Sequence, residues 1–294
     1  MRLIVSIPTT NRAAVVALTI QDIARQSRLP DLVLVVVADE SDIDPAAIEG
    51  LPFPVAVQKS ERGLTCQRNV ALGMLEADDL ALFLDDDFVM APDYLANLER
   101  LFREYPDVVM ATGTVLADGI HGPGLSYEYG RNLTMNVALP GATALSPKDI
   151  YNCYGCNMAL RASYVVAHGV RFDQRLKLYG WLEDVDFSRQ MAAYGRIVKS
   201  AALRGVHLGT KTGRSSGLRL GYSQVANPLY LNRKGTMAPI RVLNIVGRNL
   251  ISNLVKSVRP EPEVDRLGRL KGNLQAFGDL MRGRLQPERI LTFE

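Results

Sequence analysis

Apolar segments of four to six residues alternate with helical segments through the first 118 residues, and this alternation constrains the fold more than any other feature. The apolar segments cover residues 3–7, 32–37, 55–58, 80–84 and 108–112. Apolar residues at helical spacing occupy intervals between them, at about 13–25, 66–76 and 92–102. Strands that alternate with helices in this way form βαβ units. We therefore predict an α/β fold with a doubly wound, mostly parallel sheet.

The composition is that of a globular protein, because 47% of the 294 residues are apolar and 22% are charged. A chain of this length can bury a full hydrophobic core. Three cysteines are too few for a disulfide framework, and Cys153 and Cys156 have no second pair with which to form a zinc site. The sequence shows neither a signal peptide nor an apolar stretch of roughly 18 residues that would span a membrane. These features predict a cytoplasmic protein.

Basic residues are concentrated in the last third of the chain. Residues 1–206 contain 19 Lys and Arg against 25 Asp and Glu, whereas residues 207–294 contain 15 against 6. Residues 240–258 fit a helix with Leu243 and Leu254 on one side and Arg241 and Arg248 on the other. We predict that residues 236–294 form a basic amphipathic helical tail. This tail either packs on the preceding domain or contacts an anionic phosphate ligand or membrane surface, and no nucleic-acid partner is expected.

Three consecutive aspartates follow the apolar segment 80–84. Asp85, Asp86 and Asp87 would repel one another and raise each other's pKa unless a cation or another partner neutralised them. Carboxylate oxygens suit Mg²⁺ or Mn²⁺. Side chains alternate along an extended chain, so Asp85 and Asp87 would point one way and Asp86 the other. The alternative is a solvated acidic turn without a ligand.

Polar residues follow several of the predicted strands at their carboxyl ends. Residues 8–12 follow the first strand, Asp39 follows the second and the aspartate triplet follows the fourth. In a doubly wound sheet these ends open onto one ligand-binding crevice. The sequence contains neither the glycine pattern of a dinucleotide-binding turn nor that of a P-loop. A diphosphate bridged to the protein by a metal fits the carboxylates better.

A second acidic cluster lies within residues 180–187. Glu183 and Asp184 precede a predicted helix, where they are either helix-start acids or catalytic carboxylates. Trp181 beside them fits either the core or a platform for a sugar ring. His207 ends a strand-like segment and suits either a structural position or a third metal ligand.

Together these residues resemble an inverting glycosyltransferase of family two, with the nucleotide-diphospho-sugar fold called GT-A. Five segments carry the resemblance, in the order of the family: VSIPTTNR at 5–12, VVADES at 36–41, QRNVA at 67–71, LDDD at 84–87, and GCNMALR at 155–161 followed by WLEDVDFS at 181–188. They extend over about residues 3–207. In the second segment Glu40 stands where the family usually has an aspartate, and the family's glycine is absent.

The resemblance implies a role for each matching residue. The implied donor is a nucleoside diphosphate sugar, with UDP favoured, and the implied cofactor is Mn²⁺ or Mg²⁺. The implied metal ligands are Asp87, Asp85 and His207. The nucleotide or donor side would include Pro8, Thr9, Arg12, Asp39, Arg68, Asp85 and Asp86. Asp184 would be the general base beside Glu183, with Asn157 and Trp181 on the acceptor side. Lys211, Arg214 and Arg219 would close over the diphosphate on a glycine-rich loop at 207–221.

The resemblance also implies a division of the chain and a setting for the reaction. Residues 1–235 would form the catalytic domain, with a nucleotide half at about 1–117 and an acceptor half at about 118–235. The acceptor would be a hydroxyl of a saccharide or a lipid-linked saccharide, as in bacterial polysaccharide assembly. The enzyme would then be cytoplasmic and peripheral to the inner face of the plasma membrane.

Three alternatives use the same residues differently. Residues 85–89 match the nucleophile motif of haloacid dehalogenase-type phosphatases, with Asp85 as the nucleophile, but that motif normally follows the first strand. A scaffold that binds carbohydrate without catalysis would retain the fold. A sugar-phosphate nucleotidylyltransferase would need a glycine-rich, arginine-containing loop after the first strand, and residues 8–12 do not provide one.

Overall fold

The computed structural model describes residues 1–120, 122–136, 144–212, 216–259 and 261–293. In these residues a single mixed sheet contains nine strands. The strands are β1 (Arg2–Thr9), β2 (Leu32–Val37), β3 (Val55–Lys59), β4 (Asp79–Leu84), β5 (Phe88–Met90), β6 (Val108–Asp118), β7 (Lys148–Asp149), β8 (Asn157–Arg161) and β9 (Arg196–His207). The α-helices are α1 (Ala13–Ile23), α2 (Leu64–Leu72), α3 (Tyr94–Glu104), α4 (Tyr127–Asn136), α5 (Ala162–His168), α6 (Glu183–Met191), α7 (Gly217–Lys234), α8 (Pro239–Lys256) and α9 (Arg266–Met281).

The first half of the sheet consists of four parallel strands in the order β3-β2-β1-β4. Of these strands, β1, β2 and β4 are mostly apolar on both faces because helices cover both sides of the sheet. Val33, Val35 and Val37 of β2 belong to the core cluster that also contains residues of α1 and α3. Leu34 and Val36 belong to the opposite cluster, which contains residues of α2, α5 and α6. The predicted βαβ organisation of this half is confirmed.

The second half of the sheet contains both directions. β8 lies between β4 and β6 and is antiparallel to each, whereas β9 is parallel to β6. β5 and β7 are antiparallel to β9. Six of the nine strands in the described residues therefore run in one direction, as predicted for a mostly parallel sheet. β9 is 12 residues long, although the sequence indicated a strand only near its end.

The predicted loop at 207–221 is wrong in its last five residues, because α7 begins at Gly217. The glycines that suggested a loop allow helices to approach each other instead. A Cβ at Gly221 would collide with the backbone of Arg269, and one at Gly272 would collide with that of Leu218 and Tyr222. Glycine at these positions therefore serves close packing of α7 on α9. The region 118–152, which the sequence did not resolve, contains α4 and β7.

The predicted C-terminal helices exist, and they pack on α7. Tyr222, Val225 and Ala226 of α7 form a core cluster with Ala276 of α9 and with residues of the C-terminal segment. α7 precedes the predicted domain boundary at residue 235, and that boundary stays a prediction. None of the described helices is long and apolar enough to cross a membrane.

Helix α8 leaves most of its apolar side chains exposed. Those that are more than half exposed are Ile240, Leu243, Ile251, Leu254 and Val255. Val258, just beyond the helix, is 82% exposed. Only Val242 and Asn253 are buried among the described residues of α8. The predicted helix is present, but the residues that the structure describes leave most of its apolar side uncovered.

Candidate active site

The three aspartates occupy the turn between β4 and β5, at the edge where the carboxyl ends of the parallel strands converge. Their side chains diverge as predicted. Asp85 and Asp87 direct oxygens toward His207, whereas Asp86 is directed toward Thr9 and Arg12. Asp85 and Asp87 are therefore placed as potential metal ligands, whereas the buried Asp86 binds other residues of the protein.

Asp85, Asp87 and His207 form a cluster that can hold a metal ion. One ligand atom from each residue lies within 4.8 Å of the others. His207 Nε2 is 3.4 Å from Asp87 Oδ1 and 3.9 Å from Asp85 Oδ2. Two carboxylates and an imidazole suit Mn²⁺, and Mg²⁺ accepts the carboxylates. The three residues predicted as ligands are thus brought together, and their chemistry fits the implied cofactor.

Asp118, at the end of β6, orients the imidazole of His207. Its Oδ1 is 2.8 Å from His207 Nδ1, which leaves Nε2 facing Asp85 and Asp87. Carboxylates that bind the second nitrogen of a ligating histidine fix the ring and its tautomer. Burial alone would lower the pKa of His207, but its hydrogen bonds to Asp118 and Asp87 raise it to about 10. The two carboxylates therefore favour the protonated form of the imidazole.

Asp87 is the most strongly anionic member of the triplet. Its Oδ2 accepts from Thr210 N at 2.7 Å, and only 3% of its side chain is exposed. Burial alone would raise its pKa, but the hydrogen bond from His207 and the charges of His207 and Arg12 lower the pKa of Asp87 to about 2. These contacts favour the ionised form of Asp87 and fix the orientation of its carboxylate.

Asp86 holds Arg12 in place. Its Oδ2 accepts from Thr9 Oγ1 and its Oδ1 from Arg12 Nη1, each at 2.8 Å. The rest of the Arg12 guanidinium donates to the carbonyls of Thr210 and Thr212 at 3.0 and 2.9 Å. Burial raises the pKa of Asp86 to about 7, although Arg12 opposes this rise. Arg12 therefore connects the end of β1 to the segment after β9.

Arg68, in α2, connects the aspartate turn to the second acidic cluster. Its Nη1 donates to Glu183 Oε1 at 2.6 Å, and its Nη2 donates to Asp85 Oδ1 at 3.2 Å and to the carbonyl of Gly155 at 2.8 Å. A Cβ at Gly155 would lie 2.9 Å from Glu183 Oε1, so a larger residue there would displace this carboxylate. Burial and the charge of Asp184 raise the pKa of Glu183, and Arg68 opposes the rise.

Asp184 lies in the first turn of α6. Its Oδ2 accepts from Gly155 N at 3.1 Å and its Oδ1 from Val185 N at 2.8 Å. The residue before the helix, Leu182, has a left-handed backbone with φ of 74°. Such a conformation costs about 1–3 kcal/mol and is concentrated at functional sites. Burial raises the pKa of Asp184, while the two N–H donors oppose this rise.

A cavity of about 860 Å³ opens beside these groups. Asp85, Asp87 and His207 line one part of it. Trp181 lines it as well, on the side of α6 and α8. Asn157, predicted on the acceptor side, is fully buried at the start of β8 and accepts from Gly113 N at 3.2 Å. Neither Asn157 nor Asp184 is among the residues that line this cavity, so the acceptor-side roles of both stay predictions.

The remaining predicted site residues occupy four different parts of the structure. Pro8 is buried in β1, and Asp39 is exposed and caps a short 3₁₀ turn by accepting from Ser41 N at 3.1 Å.

The residues predicted to close over the diphosphate lie after β9 and in α7. Lys211 Nζ donates to the carbonyl of Gly119 at 2.9 Å. Arg219 belongs to the first turn of α7 and donates to the carbonyl of Phe293 at 3.0 Å, so its assignment to a closing loop is wrong. Arg214 lies outside the described residues.

Sequence reasoning missed two groups that orient the predicted residues. Asp118 belongs to the region that the sequence did not resolve. The one signal for it is that β6 continues beyond the predicted strand 108–112 and ends at this aspartate. The N–H of Thr210 binds Asp87 through the backbone and therefore has no side-chain signal. Both groups orient predicted ligands, and only the folded structure shows that they lie beside those ligands.

Three solved structures share the fold at low sequence identity. S. aureus TarS 1-349 in complex with UDP-GlcNAc is 16% identical, with a TM-score of 0.54 over 99% of this chain and 83% of that one. Mannosyltransferase PcManGT from Pyrobaculum calidifontis, in complex with GDP-Man and Mn²⁺, is 16% identical, with a TM-score of 0.56 over 99% and 85%. GalNAc-T7 with UDP, GalNAc and Mn²⁺ is 14% identical, with a TM-score of 0.54 over 96% and 56%.

The sequence itself decides the family. No curated protein matches the chain. The sequence model described as Glycosyl transferase family 2, however, matches residues 4–168, which is more than half of the chain. This range contains the aspartate turn, Arg68 and the core of the sheet. The chain belongs to glycosyl transferase family 2 and has the GT-A fold of its structural neighbours.

Proposed function

We propose that this protein is a metal-dependent, inverting glycosyltransferase that moves a hexosyl group from a UDP-sugar to a hydroxyl group. The cluster of Asp85, Asp87 and His207, with ligand atoms within 4.8 Å of one another, carries the proposal. A Mn²⁺ or Mg²⁺ ion held there would offset the negative charge that develops on the departing diphosphate. The complexes of PcManGT with GDP-Man and Mn²⁺ and of TarS with UDP-GlcNAc support a nucleoside diphosphate sugar as donor.

Asp184 is the proposed general base. It removes the proton of the acceptor hydroxyl as that oxygen attacks the anomeric carbon from the face opposite the diphosphate. A single displacement of this kind inverts the anomeric centre, and proton transfer by a positioned carboxylate contributes about 10²–10⁴-fold. The raised pKa of Asp184 supports this role. Glu183 is engaged by Arg68, so we assign it a positioning role.

Arg12 and Asp39 are proposed to contact the donor at the carboxyl ends of β1 and β2. The Arg12 side chain is 18% exposed and lines the cavity beside Asp85 and Asp87. Asp39 retains an exposed carboxylate that can accept from a nucleotide base. Arg68 is 1% exposed, and we propose that it supports the donor site through Asp85.

The proposed acceptor is a saccharide or a lipid-linked saccharide, as in bacterial polysaccharide assembly. We further propose that the protein is cytoplasmic and that α8 contacts the inner face of the plasma membrane. Leu243, Leu254 and Val258 expose apolar surface, and the last third of the chain has an excess of basic residues. Amphipathic helices of this type lie in the headgroup region of anionic bilayers.

The decisive assay measures nucleoside diphosphate release from a panel of nucleotide sugars, with Mn²⁺ and with EDTA. Asp184→Asn should abolish transfer while UDP–Mn²⁺ binding stays within about twofold, because the carboxylate acts on the acceptor. Asp78→Asn, at an exposed aspartate, is the matched control. Equal loss of binding and transfer would contradict the role of Asp184. Release of inorganic phosphate would indicate the phosphatase alternative, and binding without turnover would indicate the scaffold.

A further inference from the structure

The cavity beside the metal cluster continues along α8 and α9, and this far part is basic. The basic side chains that line it are Arg241, Arg248, Lys256, Arg266 and Arg269. Asp85 and Asp87 line the near part. One cavity therefore has an acidic end suited to a cation and a basic end suited to an anion.

The charges at the basic end are only partly neutralised. Glu261 pairs with both Lys256 and Arg266. Arg241 has its guanidinium 3.6 Å from the centre of the Tyr151 ring, a contact that leaves its N–H groups available for an anion. Arg248 is exposed, and no carboxylate of the described residues pairs with it. Arg241 and Arg248 can therefore bind a ligand without first breaking an ion pair.

The basic face is too long to serve the donor alone. Arg241, Arg248 and Lys256 all line the cavity from α8, and fifteen residues of helix correspond to about 22 Å. Arg241 and Arg248 alone are about 10 Å apart along the axis. A diphosphate that is bound at the aspartate turn cannot occupy such a length. A donor diphosphate would therefore leave most of this face free for a second anionic group.

We propose that this face, formed by Arg241 and Arg248 with the adjoining basic residues of α8 and α9, binds an acceptor that carries a phosphate or diphosphate group. Arginine forms paired hydrogen bonds with phosphate oxygens, which favours phosphate over a neutral sugar. Trp181, which lines the same cavity, provides apolar surface for the sugar ring. The inference rests on the proposed function and specifies its acceptor.

Two sources of this chemistry are a lipid-linked saccharide and a phosphorylated saccharide free in solution. On a helical wheel the cavity-lining face of α8 lies next to its exposed apolar face, because Arg248 and Val255 are separated by only about 20°. A phosphate attached to a lipid could therefore reach Arg248 from the bilayer surface. Glucose 1-phosphate and a polyprenyl phosphate in detergent micelles are probes for the two sources.

The test uses the full chain saturated with UDP and Mn²⁺, so that a phosphate probe cannot bind at the metal end. Trp181 is the only tryptophan and lines the cavity, so its fluorescence reports binding. Glucose 1-phosphate or the polyprenyl phosphate should bind at least about tenfold more tightly than glucose or a neutral detergent. Arg248→Gln and Arg241→Gln should each weaken the phosphate probe at least about fivefold. Arg259→Gln, an exposed arginine outside the cavity lining, is the matched control and should have no effect.

The outcomes separate this inference from the proposed function. Binding of the lipid probe alone supports a membrane-borne acceptor, and binding of glucose 1-phosphate supports a free one. If neither phosphate probe binds, or if Arg248→Gln and Arg259→Gln behave alike, the inference is overturned. It is also overturned if phosphate binds only when UDP is absent, because the anion then occupies the metal end. Failure of UDP and Mn²⁺ to bind the unmodified protein would instead contradict the proposed function.

Discussion

Arg68 and Glu183, which are 115 residues apart in the sequence, are joined by a hydrogen bond of 2.6 Å between Nη1 and Oε1. The same guanidinium donates to Asp85, and only 1% of the Arg68 side chain is exposed. One buried cation therefore balances a carboxylate of the metal cluster and a carboxylate next to the proposed base. This arrangement fixes the start of α6 relative to the aspartate turn.

Replacement of Arg68 by methionine should destabilise the protein strongly. Methionine fills a similar volume but leaves Glu183 and Asp85 without their partner, and such losses cost about 3–5 kcal/mol. The measurement is the free energy of unfolding in urea. Arg62→Met, at an exposed arginine in the preceding loop, should change it by no more than about 0.5 kcal/mol. If Arg68→Met changed the free energy of unfolding as little as Arg62→Met does, the guanidinium would not be needed to balance these two carboxylates.

Asp118 should control metal affinity without contacting the metal. Asp118→Asn weakens the acceptor that orients His207, and loss of such a partner typically lowers metal affinity about 10–100-fold. Isothermal titration with Mn²⁺ in the presence of UDP measures the effect. Asp78→Asn should leave the affinity unchanged, because this residue is exposed and outside the site. An unaltered Mn²⁺ affinity in Asp118→Asn would exclude His207 as a ligand oriented by Asp118.

The first half of the sheet and the two aspartates of the metal cluster were predictable because their signals are local. Apolar segments with helical intervals defined β1 to β4, and the carboxyl ends of those strands placed Asp85 and Asp87 at the ligand edge. The divergence of Asp86 followed from the alternation of side chains in an extended chain. These inferences need only the residues within one βα unit and the general geometry of parallel sheets.

The features that could not be predicted depend on tertiary contacts, which leave no local signal in the sequence. α7 was missed because Gly217 and Gly221 suggest a loop, and only the neighbouring α9 explains them. The engagement of Arg68 by Glu183 joins two motifs that sequence reasoning assigned to different halves of the chain. The cavity face of α8 was recognised as basic and amphipathic, but its position beside Asp85 and Asp87 required the packed structure.

Arg12→Lys should loosen the segment after β9 while preserving the charge next to Asp86. The lysine ammonium can still pair with Asp86, but it cannot also donate to the carbonyls of both Thr210 and Thr212. Because Thr210 N binds Asp87, we expect faster amide hydrogen exchange in residues 208–212 and a KM for the donor raised several-fold, by about 1 kcal/mol. Arg25→Lys, at a half-exposed arginine just after α1, provides the control. Unchanged exchange would indicate that Arg12 does not restrain this segment.

The exposed apolar face of α8 should determine binding to anionic membranes. Deletion of the chain after Gly235 is unsuitable as a test, because it would also remove α9 from its packing on α7. Leu243 and Leu254 are 71% and 58% exposed, so glutamate at both positions should leave the unfolding temperature nearly unchanged. Each buried leucine contributes about 1.5–3 kcal/mol, so the double variant should bind vesicles with anionic lipids at least about 100-fold more weakly.

Sedimentation with vesicles of anionic and of neutral lipids measures this effect. The unmodified protein should sediment with the anionic vesicles more than with the neutral ones, and added salt should reduce the difference because it screens the basic residues. Leu18→Glu, at a 42% exposed leucine of α1, adds the same charge away from α8 and should not alter sedimentation. If Leu243→Glu/Leu254→Glu sediments like the unmodified protein, α8 does not contact the membrane, and its apolar face must have another partner.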